Sequence, residues 1–185
     1  MKNEIFAVRV LKGIGYWLLG YVLCLFICIM MLMIMNKVII IKVFVGFCVL
    51  SITLGLYFNY AHYAAKRDKV KVKLHGAEYD KFMPIKMAIS APFFTYIMWF
   101  ILLLSKLGVI GDIFNYYVLT NIEMLPFVAL FTTQRSIESL SWLGLFGILV
   151  IVLLSPAVII ISYIATYKDI DIRSLIFYKK DDNKK

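Results

Sequence analysis

The hydrophobic positions of this chain fall into four long blocks that are separated by shorter charged segments. The blocks cover residues 13–35, 38–61, 87–105 and 143–163, and Lys42 is the only charged residue within them. An α-helix rises about 1.5 Å per residue, so each block is about long enough to cross a hydrocarbon layer of roughly 30 Å. The pattern predicts an all-α membrane protein, with four transmembrane helices in a single membrane domain that covers residues 1–185.

The distribution of basic residues predicts the orientation of these spans. Sixteen of the 20 lysine and arginine residues lie before the first block, in residues 62–86, or after residue 163. Four spans place these three segments on one side of the membrane, and basic connections stay on the cytoplasmic side. Both termini are therefore predicted to be cytoplasmic, in a multi-pass membrane protein.

Residues 113–131 form a further apolar segment between the third and fourth blocks. Four residues interrupt it: Asn115, Asn121, Glu123 and Pro126. A fifth span here would carry a glutamate into lipid and would move the basic tail to the outer side. We predict instead an outer amphipathic helix or a re-entrant helix, and the sequence does not choose between the two.

Three residues in or near the apolar segments are candidate functional residues. Glu123 is either buried, with Asn115, Asn121 or Lys106 as its partner, or faces water from an interfacial helix, and the second interpretation is favoured. The other two, Pro92 and Pro156, each remove a backbone donor within a span, so both are predicted to kink their helices.

The two large cytoplasmic segments contain an alternation of charged and apolar residues. It covers residues 68–74 and 168–173 and has the period of a β-strand. Because the first segment is largely basic and the second begins with acidic residues, a short paired β-ribbon at the inner surface is a further prediction. The basic residues of the first segment and its approach are predicted to contact lipid headgroups: Lys66, Arg67, Lys69, Lys71 and Lys73.

Composition and residue spacing give no sign of a catalytic or cofactor site. The chain is 63% hydrophobic and carries a net charge of +9, but its lysines flank apolar blocks, which favours a membrane surface over nucleic acid as the partner. Cys24, Cys28 and Cys48 lie within apolar blocks without a nearby histidine or carboxylate, which favours packing over metal binding. We therefore expect no enzymatic activity, cofactor or bound metal.

Several short segments resemble a loose group of small uncharacterised polytopic membrane proteins of Gram-positive bacteria. They are Tyr-Ile-Ala-Thr-Tyr-Lys-Asp-Ile from Tyr163, Leu-Ile-Phe-Tyr-Lys-Lys from Leu175, and Arg67-Asp68 after the second block. The resemblance implies a multi-pass bacterial membrane protein and brings no activity, cofactor or site residues with it.

These observations favour a non-catalytic accessory or scaffold subunit that acts through contacts with membrane lipids, another membrane protein or a cytoplasmic partner. The alternative is a small transporter or permease component that works as a homo-oligomer, because four spans enclose little space. A transporter is expected to line a hydrated path with hydroxyl groups of Ser51, Thr53, Ser90, Thr95 or Ser155.

Overall fold

The computed structural model describes residues 2–35, 38–76, 78–132, 134 and 136–170, and all regular structure in these residues is helical. Seven α-helices follow one another, and a 3-10 turn at Ile122–Met124 separates the fifth from the sixth. They are α1 (Lys2–Met35), α2 (Ile39–His75), α3 (Met83–Ser90), α4 (Phe93–Lys106), α5 (Phe114–Thr120), α6 (Leu125–Phe131) and α7 (Trp142–Tyr167).

Three of these helices are long and apolar enough to cross a membrane. They are α1, α2 and α7, and the pair formed by α3 and α4 meets the same test when the two helices are taken together. The axes of α3 and α4 differ by 55°. The prediction of an all-helical membrane protein is confirmed at this level, with three spanning helices, or four if the bent pair is one span.

Pro92 lies at the break between α3 and α4, where the sequence predicts a kink. Proline has no N–H group, so the carbonyl of Ala88, four residues earlier, loses its helical donor. The hydroxyl of Tyr96 donates to this carbonyl at 2.9 Å, and the hydroxyl of Ser90 donates to Met87 O at 3.4 Å. The side chain of Tyr96 in the same span therefore satisfies the carbonyl that the bend leaves without its helical donor.

Pro156 has a different setting, because α7 continues through it as one helix. The neighbouring Ser155 is buried, as are Val152 and Ile159 one turn away on either side. This proline therefore lies within the packed part of the most apolar of the three spanning helices and does not end it.

The predicted β-ribbon is wrong for the residues that the structure describes. Residues 68–74 belong to α2, and residues 171–173 of the second segment lie outside the described residues. Ala65 lies four residues after Ala61, and Asp68 lies three residues after Ala65, so all three share one helix face. That face packs in the bundle, whereas an isolated ribbon is only marginally stable in water. The opposite charges do meet, since Lys69 forms an ion pair with Asp169.

The beginning of α1 and the last turns of α2 and α7 are joined by a group of polar side chains that we call the inner clamp: Arg9, Tyr60, Asp68 and Tyr163. The two terminal guanidinium nitrogens of Arg9, Nη1 and Nη2, donate to the two carboxylate oxygens of Asp68. The hydroxyl of Tyr163 donates to the same carboxylate at 2.6 Å, and that of Tyr60 donates to the backbone carbonyl of Arg9 at 3.0 Å. These bonds fix the relative positions of three helices at one end of the bundle.

The opposite end of the bundle is covered by residues 113–131. Helices α5 and α6 run toward and away from the middle of the bundle, and the 3-10 turn between them packs against α1 and α2. The amine of Lys42 donates to Ala129 O at 2.9 Å, and the hydroxyl of Tyr21 donates to Leu119 O at 2.8 Å. Lys42, in the first turn of α2, therefore ties this helix to α6 by a hydrogen bond to a backbone carbonyl.

Candidate functional site

The 3-10 turn carries Glu123 into the interior of the bundle. Glu123 is 5% exposed, and the hydroxyl of Thr95 in α4 donates to its Oε1 at 3.3 Å. The preceding residue is fixed as well, because the thiol of Cys28 contacts Ile122 O at 3.6 Å. Glu123 does not face water, so the interfacial interpretation that the sequence favoured is wrong.

The three partners predicted for Glu123 lie elsewhere or make other contacts. Asn115 is exposed, and the amine of Lys106 donates to the carbonyls of Ile137 and Glu138. Asn121 is buried near the carboxylate, but its amide donates to Tyr117 O. The actual partner, Thr95, was identified in the sequence only as a residue that a transport path would use.

None of the ion pairs among the described residues includes Glu123. Its carboxyl group is therefore buried with one hydroxyl donor and no basic side chain. An ionised carboxylate in such a place is costly unless a positive charge compensates it. The group is therefore neutral unless a cation lies against it, and a ligand with a positive charge would supply that compensation.

Three further buried polar atoms near Glu123 have no hydrogen-bond partner among the described residues: Tyr57 Oη, Tyr117 Oη and Asn121 Oδ1. Both tyrosine hydroxyls lie within electrostatic range of the Glu123 carboxylate. Native proteins satisfy most of their buried polar groups, and an unsatisfied group often marks a functional site. Two of these unpaired oxygens, the tyrosine hydroxyls, therefore lie around a carboxyl group that no ion pair among the described residues compensates.

A narrow cleft lies between α1 and α2, and Glu123 is one of its lining residues. Its walls come from one face of α1 and one face of α2, and its lining residues are Tyr16, Trp17, Gly20, Thr53, Leu56, Tyr57 and Glu123. The cleft has no room for a water-sized sphere. The ring of Trp17 stacks on the ring of Phe94 in α4, with 5.2 Å between the two centroids. The walls are thus aromatic, and the base is acidic.

No protein-family model matches this chain, and no match was found among the curated proteins or the solved structures. The resemblance to a group of Gram-positive membrane proteins therefore stays a prediction. Functional inference rests on the geometry of the chain itself.

Other candidate residues of the sequence are dispersed. Cys24 and Cys28 are buried together, and the thiol of Cys24 lies 3.7 Å from the hydroxyl of Thr53. Among the residues that the structure describes, no three histidine, cysteine, aspartate or glutamate side chains are grouped as metal ligands. Of the hydroxyl residues expected along a transport path, Ser51 is exposed, and Thr53 lines the cleft.

Sequence reasoning missed the inner clamp. Arg9 was read only as a topology signal, and Asp68 was assigned to a strand. One signal was present, because Asp68 is the only acidic residue within a basic run that extends from Lys66 to Lys73. A single acid in such a run indicates a specific cationic partner.

Proposed function

We propose that the chain crosses the cell membrane of a bacterium four times, with both termini in the cytoplasm. In this arrangement α3 and α4 form one bent span, and residues 113–131 form a re-entrant segment on the outer side. Support comes from the lengths of the helices and from the placement of sixteen of 20 basic residues on one side. The two ends of residues 113–131 lie beside the outer ends of α4 and α7, and its tip lies beside the middle of α1 and α2.

Labelling of single cysteines tests this topology in intact cells. In a background in which Cys24, Cys28 and Cys48 are serine, a cysteine at residue 71 or 180 is expected to resist a membrane-impermeant maleimide. A cysteine at residue 138 is expected to react, because it would lie on the outer surface. Labelling of residue 71 but not residue 180, or the reverse, would show that the number of spans is odd.

Within this topology we propose a non-catalytic accessory subunit that acts by contact with a negatively charged surface. The supporting observation is the cytoplasmic end of α2, residues 62–75, which we call the α2 arm. Helix α2 has 37 residues, so its length is about 55 Å, well beyond the ~30 Å that a span requires. Its final turns therefore extend beyond the hydrocarbon layer.

The outer face of the α2 arm combines basic and apolar side chains. Lys66, Arg67 and Lys73 are exposed, and so are Val70 and Leu74, at 51% and 71%. An exposed helix face of this kind is typical of a surface that binds an anionic partner. Leu74 lies six residues beyond Asp68, or about 9 Å farther from the inner clamp.

That distance separates two kinds of contact along the α2 arm. The headgroup layer on each side of a bilayer is roughly 5–8 Å thick, so Lys66 and Arg67 lie at its level. Lys73 and Leu74 lie at its edge or beyond it, where an acidic surface of a protein partner fits better than lipid. Lys69 differs from these residues because it already pairs with Asp169.

Photo-crosslinking tests the contact function of the α2 arm. A photoreactive phenylalanine analogue in place of Leu74 is expected to give one discrete crosslinked protein in cells, and the Lys66→Glu/Lys73→Glu variant should reduce its yield at least fivefold. The same analogue in place of Phe26, an exposed residue of α1, is the control, and its products should not respond to these charge changes. Crosslinks at residue 74 that are restricted to lipid, or unaffected by charge reversal, would contradict a charged protein contact.

A transporter component, working as a homo-oligomer, is the second candidate function. The observation that favours it is Glu123, since an acidic side chain at the middle of a bundle is unusual in membrane proteins and is commonly functional. The cleft beside Glu123 has no room for a water-sized sphere and so provides no hydrated path for transport, and the contact function is therefore preferred. Flux of a permeant cation into proteoliposomes that Glu123→Gln abolishes would reverse the preference.

A further inference from the structure

The cleft beside Glu123 combines two features that the contact function does not use. One is a carboxyl group that none of the ion pairs among the described residues compensates. The other is the hydroxyl of Tyr57, which is 2% exposed, lines the same cleft and has no hydrogen-bond partner in the described part of the chain. Both groups lie between α1, α2 and the 3-10 turn, and a cation placed there would compensate the ionised form of the carboxyl group.

The walls of the cleft indicate the chemistry of that ligand. The rings of Tyr16, Trp17 and Tyr57 line it, and Glu123 lies at its base. Aromatic faces attract cations through their quadrupole, and aromatic walls with a nearby carboxylate are suited to ammonium groups that carry alkyl substituents.

The position of the cleft also fits a ligand with apolar groups. Tyr16, Trp17 and Leu56 are only half-buried, so the rim of the cleft lies near the lipid-facing surface of α1 and α2. Gly20 contributes no side chain to the wall, and a Cβ at this residue would lie 3.4 Å from Leu56 Cδ1. A larger residue at position 20 would occupy the cleft, and a ligand must move the aromatic side chains apart to enter.

We infer that this cleft binds a monovalent organic cation with apolar substituents, of the quaternary ammonium class, with its charge against Glu123 and its alkyl groups against Tyr16 and Trp17. The aromatic rings provide the shape of the site, and the carboxylate provides the selection for charge. This function is independent of the exposed face of the α2 arm, which lies farther along α2 than Tyr57.

Trp17 provides a direct signal for the experiment. In a variant in which Trp99 and Trp142 are phenylalanine, Trp17 is the only tryptophan, and its fluorescence is recorded in detergent while benzyltrimethylammonium is added. Saturable quenching is expected. Neopentylbenzene, in which a carbon atom replaces the nitrogen and the charge is lost, is expected to bind at least tenfold more weakly.

Two pairs of variants separate the charge of the site from its shape. Glu123→Gln should weaken binding of the cation at least tenfold, whereas Glu138→Gln, at an exposed glutamate, should leave it unchanged. Gly20→Leu should block the cleft, whereas Gly15→Leu, where a Cβ meets no atom within 4 Å, should not. Thermal unfolding of each variant shows whether it is folded. If Glu123→Gln does not fold, the comparison of Gly20→Leu with Gly15→Leu and the comparison of the cation with its neutral analogue still test the inference.

Three outcomes would overturn the inference. They are equal binding of the cation and its neutral analogue, unchanged affinity in folded Glu123→Gln, and the absence of saturable quenching. Displacement of the probe by millimolar Na⁺ but not by millimolar choline would assign the site to an alkali ion and would also contradict the inference.

Discussion

The Asp68→Ala variant is expected to lose about 3 kcal/mol of its free energy of unfolding, because it leaves the guanidinium of Arg9 buried without a counter-charge. Arg9 is 7% exposed as a residue, and Asp68 is its only ion-pair partner among the described residues. The hydroxyl of Tyr163 loses its acceptor in the same variant. The loss is measured as a shift of the unfolding midpoint during SDS titration of the protein in bicelles.

Lys69→Ala provides the matched control one residue along the same helix. Its ion pair with Asp169 is open to solvent, with 35% and 76% of the two side chains exposed, so its loss should cost no more than about 1 kcal/mol. The Arg9→Leu/Asp68→Leu double variant should recover most of the stability, since no buried charge is left unpaired. Equal losses in Asp68→Ala and Lys69→Ala would mean that the inner clamp does not stabilise the bundle.

The Gly144→Val variant is expected to lose about 2–3 kcal/mol, because α6 and α7 meet at this glycine without space for a side chain. A Cβ at residue 144 would lie 2.9 Å from Phe131 Cβ and 3.0 Å from Leu140 Cδ1. Phe131 Cβ is close to the backbone, so a rotation of the ring alone does not relieve the contact. The same SDS titration measures the loss.

Gly55→Val is the control for this change, since both glycines lie in long apolar helices. A Cβ at Gly55 meets no atom within 4 Å. The free energy of unfolding should therefore change by less than about 0.5 kcal/mol. A loss at Gly55 as large as that at Gly144 would point to a general effect of valine and not to the contact between α6 and α7.

The α2 arm shows where sequence periodicity failed. Residues 68–74 alternate between charged and apolar side chains, which predicts a strand, but they continue α2. Alternation records only which side chains are polar, and it does not record what each side of a helix meets. The helix is favoured because Asp68 lies on the face that contacts Arg9 and Tyr163, which come from α1 and α7.

Glu123 shows a related limit at the candidate site. The sequence identified it as the one acidic residue in an apolar setting, but the choice between burial and exposure depended on neighbours that are distant along the chain. Thr95 is 28 residues away, and Tyr57 belongs to another helix altogether. Charge and hydropathy along the chain carry no information about which residues of different helices come into contact.

The sequence by itself determined the helical class, the positions of the long apolar helices and the bend at Pro92. Each depends on local properties, namely the length of an apolar run or a missing backbone donor. Only the tertiary structure decided that Arg9 meets Asp68 and that Glu123 meets Thr95 below an aromatic cleft. Lipid is as apolar as the helix surface, so hydrophobicity leaves the rotation of each helix about its axis undetermined, and that rotation is fixed by close packing and hydrogen bonds between helices.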